Sequence, residues 1–204
     1  MITDYTTMVE AVESWLNRAG FTQLEAEIPN FIAFGQRRIM YEIDLKAMEA
    51  FDGAFSITGQ SVALPIDLLR IRSIELVSAL GTSPLNGAAM TRVLTYVTPG
   101  TPQVYDTRAR NLVVGPTPDQ TYTAILDYYA ALPILCEAEP TNWFTESYPE
   151  LLLSAALYEA LLWLKDDVRA QVWAQQYGRY KTAVEASEAR QARPYGQTAG
   201  ARLA

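Results

Sequence analysis

The sequence predicts an α+β fold: a helical bundle formed by N- and C-terminal helices, a central antiparallel β-rich insertion and an extended C-terminal arm. Three observations carry this. Apolar residues recur at helical spacing at both ends of the chain. The middle is broken into short β-branched and aromatic runs separated by Gly and Pro. The final stretch, "ARPYGQTAGARLA", has the Pro, Gly and small residues of a segment with no core of its own. The organisation that follows is one domain plus an arm: N-terminal helices over 1–46, the β-rich region over 47–132, C-terminal helices over 133–190, and the arm over 191–204.

Residues 3–19 place Tyr5, Met8, Val9, Val12, Trp15, Leu16 and Ala19 on one helical stripe, with Gly20 as the expected stop. A second helix is expected from Pro29, which suits a first helical position, to about Ile43. Phe31, Ile32, Phe34, Ile39, Met40 and Ile43 supply its apolar surface.

From about Met48 the runs "AFSITGQSVALP", "LLRIRSIELVSA", "PQVYDTR", "RNLVVGPTP" and "TYTAILDYYAAL" read as five or six strands of an antiparallel sheet. A helical turn is expected to interrupt them around "AAMTRVLTYV". In "RIRSIELV", Ile71, Ser73, Glu75 and Val77 alternate with Arg72, Ile74, Leu76 and Ser78. Neither set is plainly the water-facing one.

Helix returns after Pro133. Ser147, three residues before Glu150, matches a capping box with Pro149 in the first turn, and the helix should run to about Leu164. Only Glu150 and Glu159 are charged in "SYPELLLSAALYEALLWL", so this helix is apolar nearly all round and must be buried on every side. Its burial fits a private core or one shared between subunits. It is not a membrane span, because Ser147, Pro149, Glu150 and Glu159 interrupt the apolar run. After the polar corner "KDD" a last helix is expected from about Val168 to Ala189. Val168, Val172, Trp173, Tyr180 and Val184 lie along its stripe, which Gln176 breaks.

The composition is that of a globular protein, half hydrophobic and 19% charged over 204 residues. Net charge is −7, unevenly placed: residues 1–140 are acidic, and from Lys165 onward seven positive charges face four negative ones. An acidic body argues against a DNA-coating protein, which needs many phosphate contacts. The single cysteine, Cys136, rules out an internal disulfide and suits a reducing compartment such as cytosol. "MITDYTTMVE" lacks the basic and apolar regions of a signal peptide.

Little here resembles chemistry. With no histidine in the chain, His-dependent triads and His metal ligands are excluded. One cysteine excludes structural zinc clusters, and "GQSVALP" and "GTSPLNG" lack the spacing of nucleotide-binding loops. "KDD" (165–167) and "EAEP" (137–140) read as solvated corners, Asp67 as a turn residue and Ser154 as bonded back into its helix. Cys136 reads as a buried small hydrophobe, and Arg70 and Arg72 as salt-bridge partners rather than phosphate ligands. The expected site list therefore holds no catalytic residue, no metal ligand and no cofactor.

Four segments, in this order, resemble the head-to-tail adaptor proteins of tailed bacteriophages. "SVALPIDLLRIRSIEL" (61–76) looks like the strand–Leu-Pro–Asp–strand element, and "NLVVGPTPDQTYTAILDYYAALPIL" (111–135) like the hairpin with its Gly-Pro-x-Pro turn. "TNWFTESYPELLLSAALYEALLWLKDD" (141–167) resembles the Thr-Asn-Trp, Tyr-Pro and Leu/Ala-rich helix, and "WAQQYGRYKTAVEASEARQA" (173–192) the closing helix. Thr141, Asn142, Trp143, Tyr148 and Pro149 match as fold-forming residues.

The resemblance implies a structural virion protein of the neck, made in the bacterial host cytoplasm and not an enzyme. Such proteins form rings, usually of twelve copies, beneath the portal protein. They extend the DNA channel, through which genomic DNA passes without specific binding, and offer a platform for tail or nozzle proteins. No membrane is involved. The arm commonly reaches the portal, so the implied partner-binding residues are Arg190, Arg193, Pro194, Tyr195, Arg202 and Leu203. Two other readings stay open: a tail-completion or tube-terminator protein, and a carboxylate-dependent metal enzyme using Asp166 and Asp167.

Overall fold

The computed structural model describes residues 1–18 and 20–191. Ala19 of the expected first stripe and residues 192–204 of the expected arm lie outside the described residues. Among the described residues six α-helices and eight strands are mixed along the sequence, the α+β class expected from it. The chain divides into two units. One comprises Met1–Ala47 together with the chain from Leu132 onward, and the other Met48–Ala131.

In the helical unit, α1 (Tyr5–Leu16) begins at a capping box: Asp4 Oδ1 accepts from the Thr7 amide at 2.8 Å, and Thr7 Oγ1 accepts from the Asp4 amide at 3.0 Å. The helix stops before Gly20. Asn17 adopts the left-handed conformation (φ 52°) and its amide closes onto the carbonyls of Glu13 and Ser14. Asn tolerates that conformation because its short polar side chain compensates locally. Met8, Val12 and Leu16 are buried, while Trp15 is 56% exposed.

The second helix, α2 (Thr22–Glu42), starts seven residues earlier than Pro29. Pro29 therefore lies inside the helix. It is exposed, as is Glu25 four residues before it, so the carbonyl that loses its amide donor stands on the water side. Leu24, Ile28, Phe31, Ile32, Ile39 and Met40 line the buried face, and Phe34 is 49% exposed.

The expected capping box at Ser147 is replaced by another. Asn142 caps a short helix, α4 (Trp143–Ser147), accepting from the amides of Phe144 and Thr145, while Thr145 Oγ1 accepts from the Asn142 amide. Ser147 ends that helix. α5 (Pro149–Trp163) then starts at Tyr148 without a side-chain cap, Pro149 filling the first position. Leu151 through Leu157, Ala160 and Leu161 have buried or nearly buried side chains, enclosed by α1, α2, α4 and α6 (Asp167–Gln191). The apolar helix is thus the centre of the chain's own helical core.

On α6 the buried positions are Ala170, Tyr177 and Val184, seven residues apart. Two members of the expected stripe, Val168 and Val172, are 77% and 61% exposed. A seven-residue repeat keeps a facing seam on a single partner helix, and α5 is that partner.

The β unit holds two four-stranded sheets rather than one. The first has β1 (Glu49–Ile57), β8 (Tyr122–Ala130), β3 (Leu68–Ser78) and β4 (Gly81–Pro84) in that spatial order, every pair antiparallel. The second orders β2 (Ser61–Ala63), β7 (Asn111–Gly115), β6 (Val104–Arg108) and β5 (Asn86–Gly87), with β5 and β6 parallel. The expected helical turn is α3 (Met90–Val93).

Within β8, Tyr122, Ala124, Leu126, Tyr128 and Ala130 alternate regularly onto one cluster with Phe55, Ile57, Leu112 and Val114. β3 does not alternate, because its register with β8 shifts between Leu68 and Arg70 and again between Ile71 and Ser73. Each extra residue flips the side-chain parity. Leu68, Ile71, Ile74 and Leu76 thereby reach the same cluster, which explains the mixed pattern of "RIRSIELV". Gly115 cannot carry a side chain: a Cβ there would lie 2.5 Å from the Val93 carbonyl oxygen.

Candidate functional site

The residue of the expected partner-binding set that the structure places is Arg190, in the last turn of α6. It is exposed, and its Nε donates to the Ala186 carbonyl at 3.2 Å. A cation there sits favourably against the negative end of the helix. Arg193, Pro194, Tyr195, Arg202 and Leu203 lie outside the described residues.

What holds α6 is a polar clasp on its flank. Glu42, at the end of α2, accepts from Arg38 at 3.1 Å, Lys181 at 3.0 Å and the Tyr177 hydroxyl at 2.9 Å. Arg38 also pairs with Glu159 of α5 at 2.9 Å and stacks 4.5 Å over the Tyr158 ring. Three helices are thereby tied through two side chains. Partial burial works against the Glu42 charge, but the bonds from Lys181, Tyr177 and Arg38 outweigh it and lower its pKa. Burial, then the bond to Glu42, pushes the Tyr177 hydroxyl upward. Nearer the end of α6, Tyr148 Oη donates to Ser187 Oγ at 3.0 Å.

At the other end, the "KDD" corner is a helix junction. Lys165 adopts φ 56°, and Asp166 Oδ1 accepts from the Arg169 amide at 3.2 Å, the geometry of an N-cap. Arg169 reaches back to the Trp15 carbonyl at 2.9 Å, satisfying the exposed end of α1. Trp15 packs edge-on against Trp173 at 5.3 Å. With Leu153, Val172, Tyr180 and Glu150 these rings line a shallow groove of about 340 Å³.

The other candidates have structural roles. Ser154 Oγ donates to the Leu151 carbonyl at 2.8 Å. Arg72 pairs with Glu49 at 3.1 Å, and Arg70 lies 5.8 Å over the Tyr129 ring. Asp67 accepts a long bond from the Tyr128 hydroxyl at 3.4 Å. Cys136 is half-buried rather than buried. Its amide bonds to the Glu139 carbonyl, closing the "EAEP" corner as a turn. Among the described residues no group of three or more potential ligands could hold a metal ion, and no helix is long and apolar enough to cross a membrane.

Sequence reasoning missed the Glu42 clasp and the Asn142 cap. The cap had a local signal, an Asn three residues before Thr145. The clasp had none, since Glu42 and Lys181 are far apart in the chain.

Against known families, the model of the SU10 adaptor protein matches residues 3–202, nearly the whole chain. The chain belongs to the SU10 adaptor protein family. No similar curated protein matches it. A phage adaptor is a structural protein. In this adaptor the family match spans both units and extends past α6.

Proposed function

We propose that this adaptor forms a ring beneath the portal of a tailed phage, of twelve copies as the resemblance implies. The ring extends the DNA channel and carries tail or nozzle proteins in the virion neck after synthesis in the host cytoplasm. The observation that carries the reading is the family match from residue 3 to residue 202. Charge supports it. DNA sliding through a strongly basic lumen would accumulate phosphate contacts as drag, and a chain of net charge −7 offers few of them.

The segment containing Arg190, Arg193, Pro194, Tyr195, Arg202 and Leu203 binds the portal in this reading. Its base is fixed by the clasp on α6, and many weak arms on one ring reinforce each other through effective concentration. Electron microscopy of the protein mixed with portal assemblies tests this directly. The expected image is a closed ring stacked on the portal; bare portal rings beside monomers would overturn it. Deleting residues 190–204 is expected to abolish docking while circular dichroism stays unchanged. A truncated protein that docks normally removes the arm from the mechanism, and capture by tail tube instead of portal favours the tail-completion reading.

A further inference from the structure

The β unit contains a cavity of about 550 Å³ that the proposed function does not use. Its basic side comes from Arg70, Arg108 and Arg110. The carboxylate lining it, Asp106, is already engaged with the Thr107 amide at 2.7 Å. Arg110 donates to the Ile66 carbonyl, and Arg108 is exposed with no ion pair among the described residues. Leu64, Leu68 and Ile71 form the apolar side.

Two features of the backbone single this place out. Arg108 and Asn111 close a two-residue hairpin turn between β6 and β7, with Ala109 at φ 47° and Arg110 at φ 63°. Such turns favour Asn-Gly, because side chains at positive φ are strained. Here both positions carry a Cβ, and the turn places Arg110, within the strained pair, and Arg108, just before it, at the cavity mouth. Two strand edges also border the cavity half-open. β3 from Leu68 to Ser73 pairs with β8 on one side, its pairing with β4 starting at Glu75. β6 meets β5 at Val104 and Tyr105, and among the described residues Asp106–Arg108 pair with β7 alone.

We infer that this cavity binds an extended acidic segment of a partner protein. Guanidinium groups at the mouth pair with carboxylates, and the open strand edges offer main-chain hydrogen bonds to an added strand. Leucine and isoleucine walls accept the alternate side chains of such a strand. Duplex DNA fits less well: it cannot pair with a strand edge, and its phosphates would be set against apolar walls. This site is independent of the portal-binding arm, so neither reading depends on the other.

Binding of a ten-residue peptide alternating Glu and Val to the full-length protein, followed by fluorescence anisotropy, tests the inference. The comparison probes are the Gln/Val peptide and a short DNA duplex. The acidic peptide is expected to bind, and Arg108→Glu to weaken it by about tenfold or more, as removal of one partner of a close charge pair does. Arg110→Gly relieves the turn's strain and so keeps the fold, yet is also expected to weaken binding. Equal binding of the Gln/Val peptide, no effect of Arg108→Glu, absence of acidic-peptide binding, or tighter binding of the duplex would each overturn the inference.

Discussion

Gly35 of α2 meets the backbone of Ala156 in α5 so closely that a Cβ on the glycine would lie 2.9 Å from the Ala156 nitrogen. The same atom would lie 3.1 Å from the Ala155 Cβ. The obstacle on the Ala156 side is main chain, which cannot rotate away. Gly35→Ala gains about 1 kcal/mol of helix propensity. Overpacking at the crossing costs about 1–3 kcal/mol, so the expected net effect in urea denaturation is destabilisation. Gly35→Leu should be worse and cost solubility. An unchanged or raised midpoint for Gly35→Ala would mean that the helices separate easily.

Gln36, the next residue, is completely buried and fully bonded. Its Oε1 accepts from the Leu135 amide at 3.0 Å and from Asn142 Nδ2 at 3.2 Å, and its Nε2 donates to the Pro133 carbonyl at 2.7 Å. Gln36→Leu keeps the volume but strands the buried Leu135 amide, while the Pro133 carbonyl keeps its bond from Asn142 Nδ2 at 3.2 Å. The loss is expected to be about 1–3 kcal/mol, the cost of one stranded buried group. Hydrogen exchange at the Leu135 amide is expected to accelerate in step with the lost stability. Slow exchange there in Gln36→Leu would show another acceptor taking over.

How much of this was legible follows from whether a feature is local. β8 could be read directly because the inserted residues in its two pairings lie on β1 and β3 and not on β8 itself, so Tyr122 to Ala130 alternate as a strand should. β3 could not be assigned a face, because two inserted residues reverse its parity and no turn residue marks them. The apolar α5 declared its burial through its missing polar face. The stripe on α6 was misplaced because Val168 and Val172 share helical spacing with Trp173 and Val184, yet the seam on α5 runs through Ala170 and Tyr177. Arg190 was readable as a basic residue near a helix end, whereas the Glu42 clasp depends on packing that brings distant residues together.

The two candidate caps before α5 separate cleanly by mutation. Asn142→Ala removes an N-cap and a bond to Gln36, and caps are worth about 0.5–2 kcal/mol. The thermal midpoint should therefore fall by several degrees. Ser147 is exposed and caps nothing, so Ser147→Ala is expected to leave the midpoint within experimental error. The reverse ranking would restore the Ser147 capping box.

The clasp on α6 makes stability pH-dependent at both ends of the scale. The Glu42 pKa is lowered in the folded state, so its contribution is complete above the ordinary glutamate value of about 4.3. It is lost as pH falls through the lower folded value. Glu42→Gln keeps hydrogen-bonding capacity without charge, and should flatten the fall in thermal midpoint on the acid side. Tyr177 behaves oppositely. Burial and Glu42 raise its pKa, so its contribution is present below the ordinary tyrosine value of about 10 and is lost as pH rises above it. Tyr177→Phe should lower stability at neutral pH by removing a bond, yet make the midpoint less sensitive on the alkaline side. Thermal melts of both variants and the parent across that range check the assignment. Parallel curves for parent and Glu42→Gln below the ordinary glutamate value would show that other carboxylates govern acid unfolding.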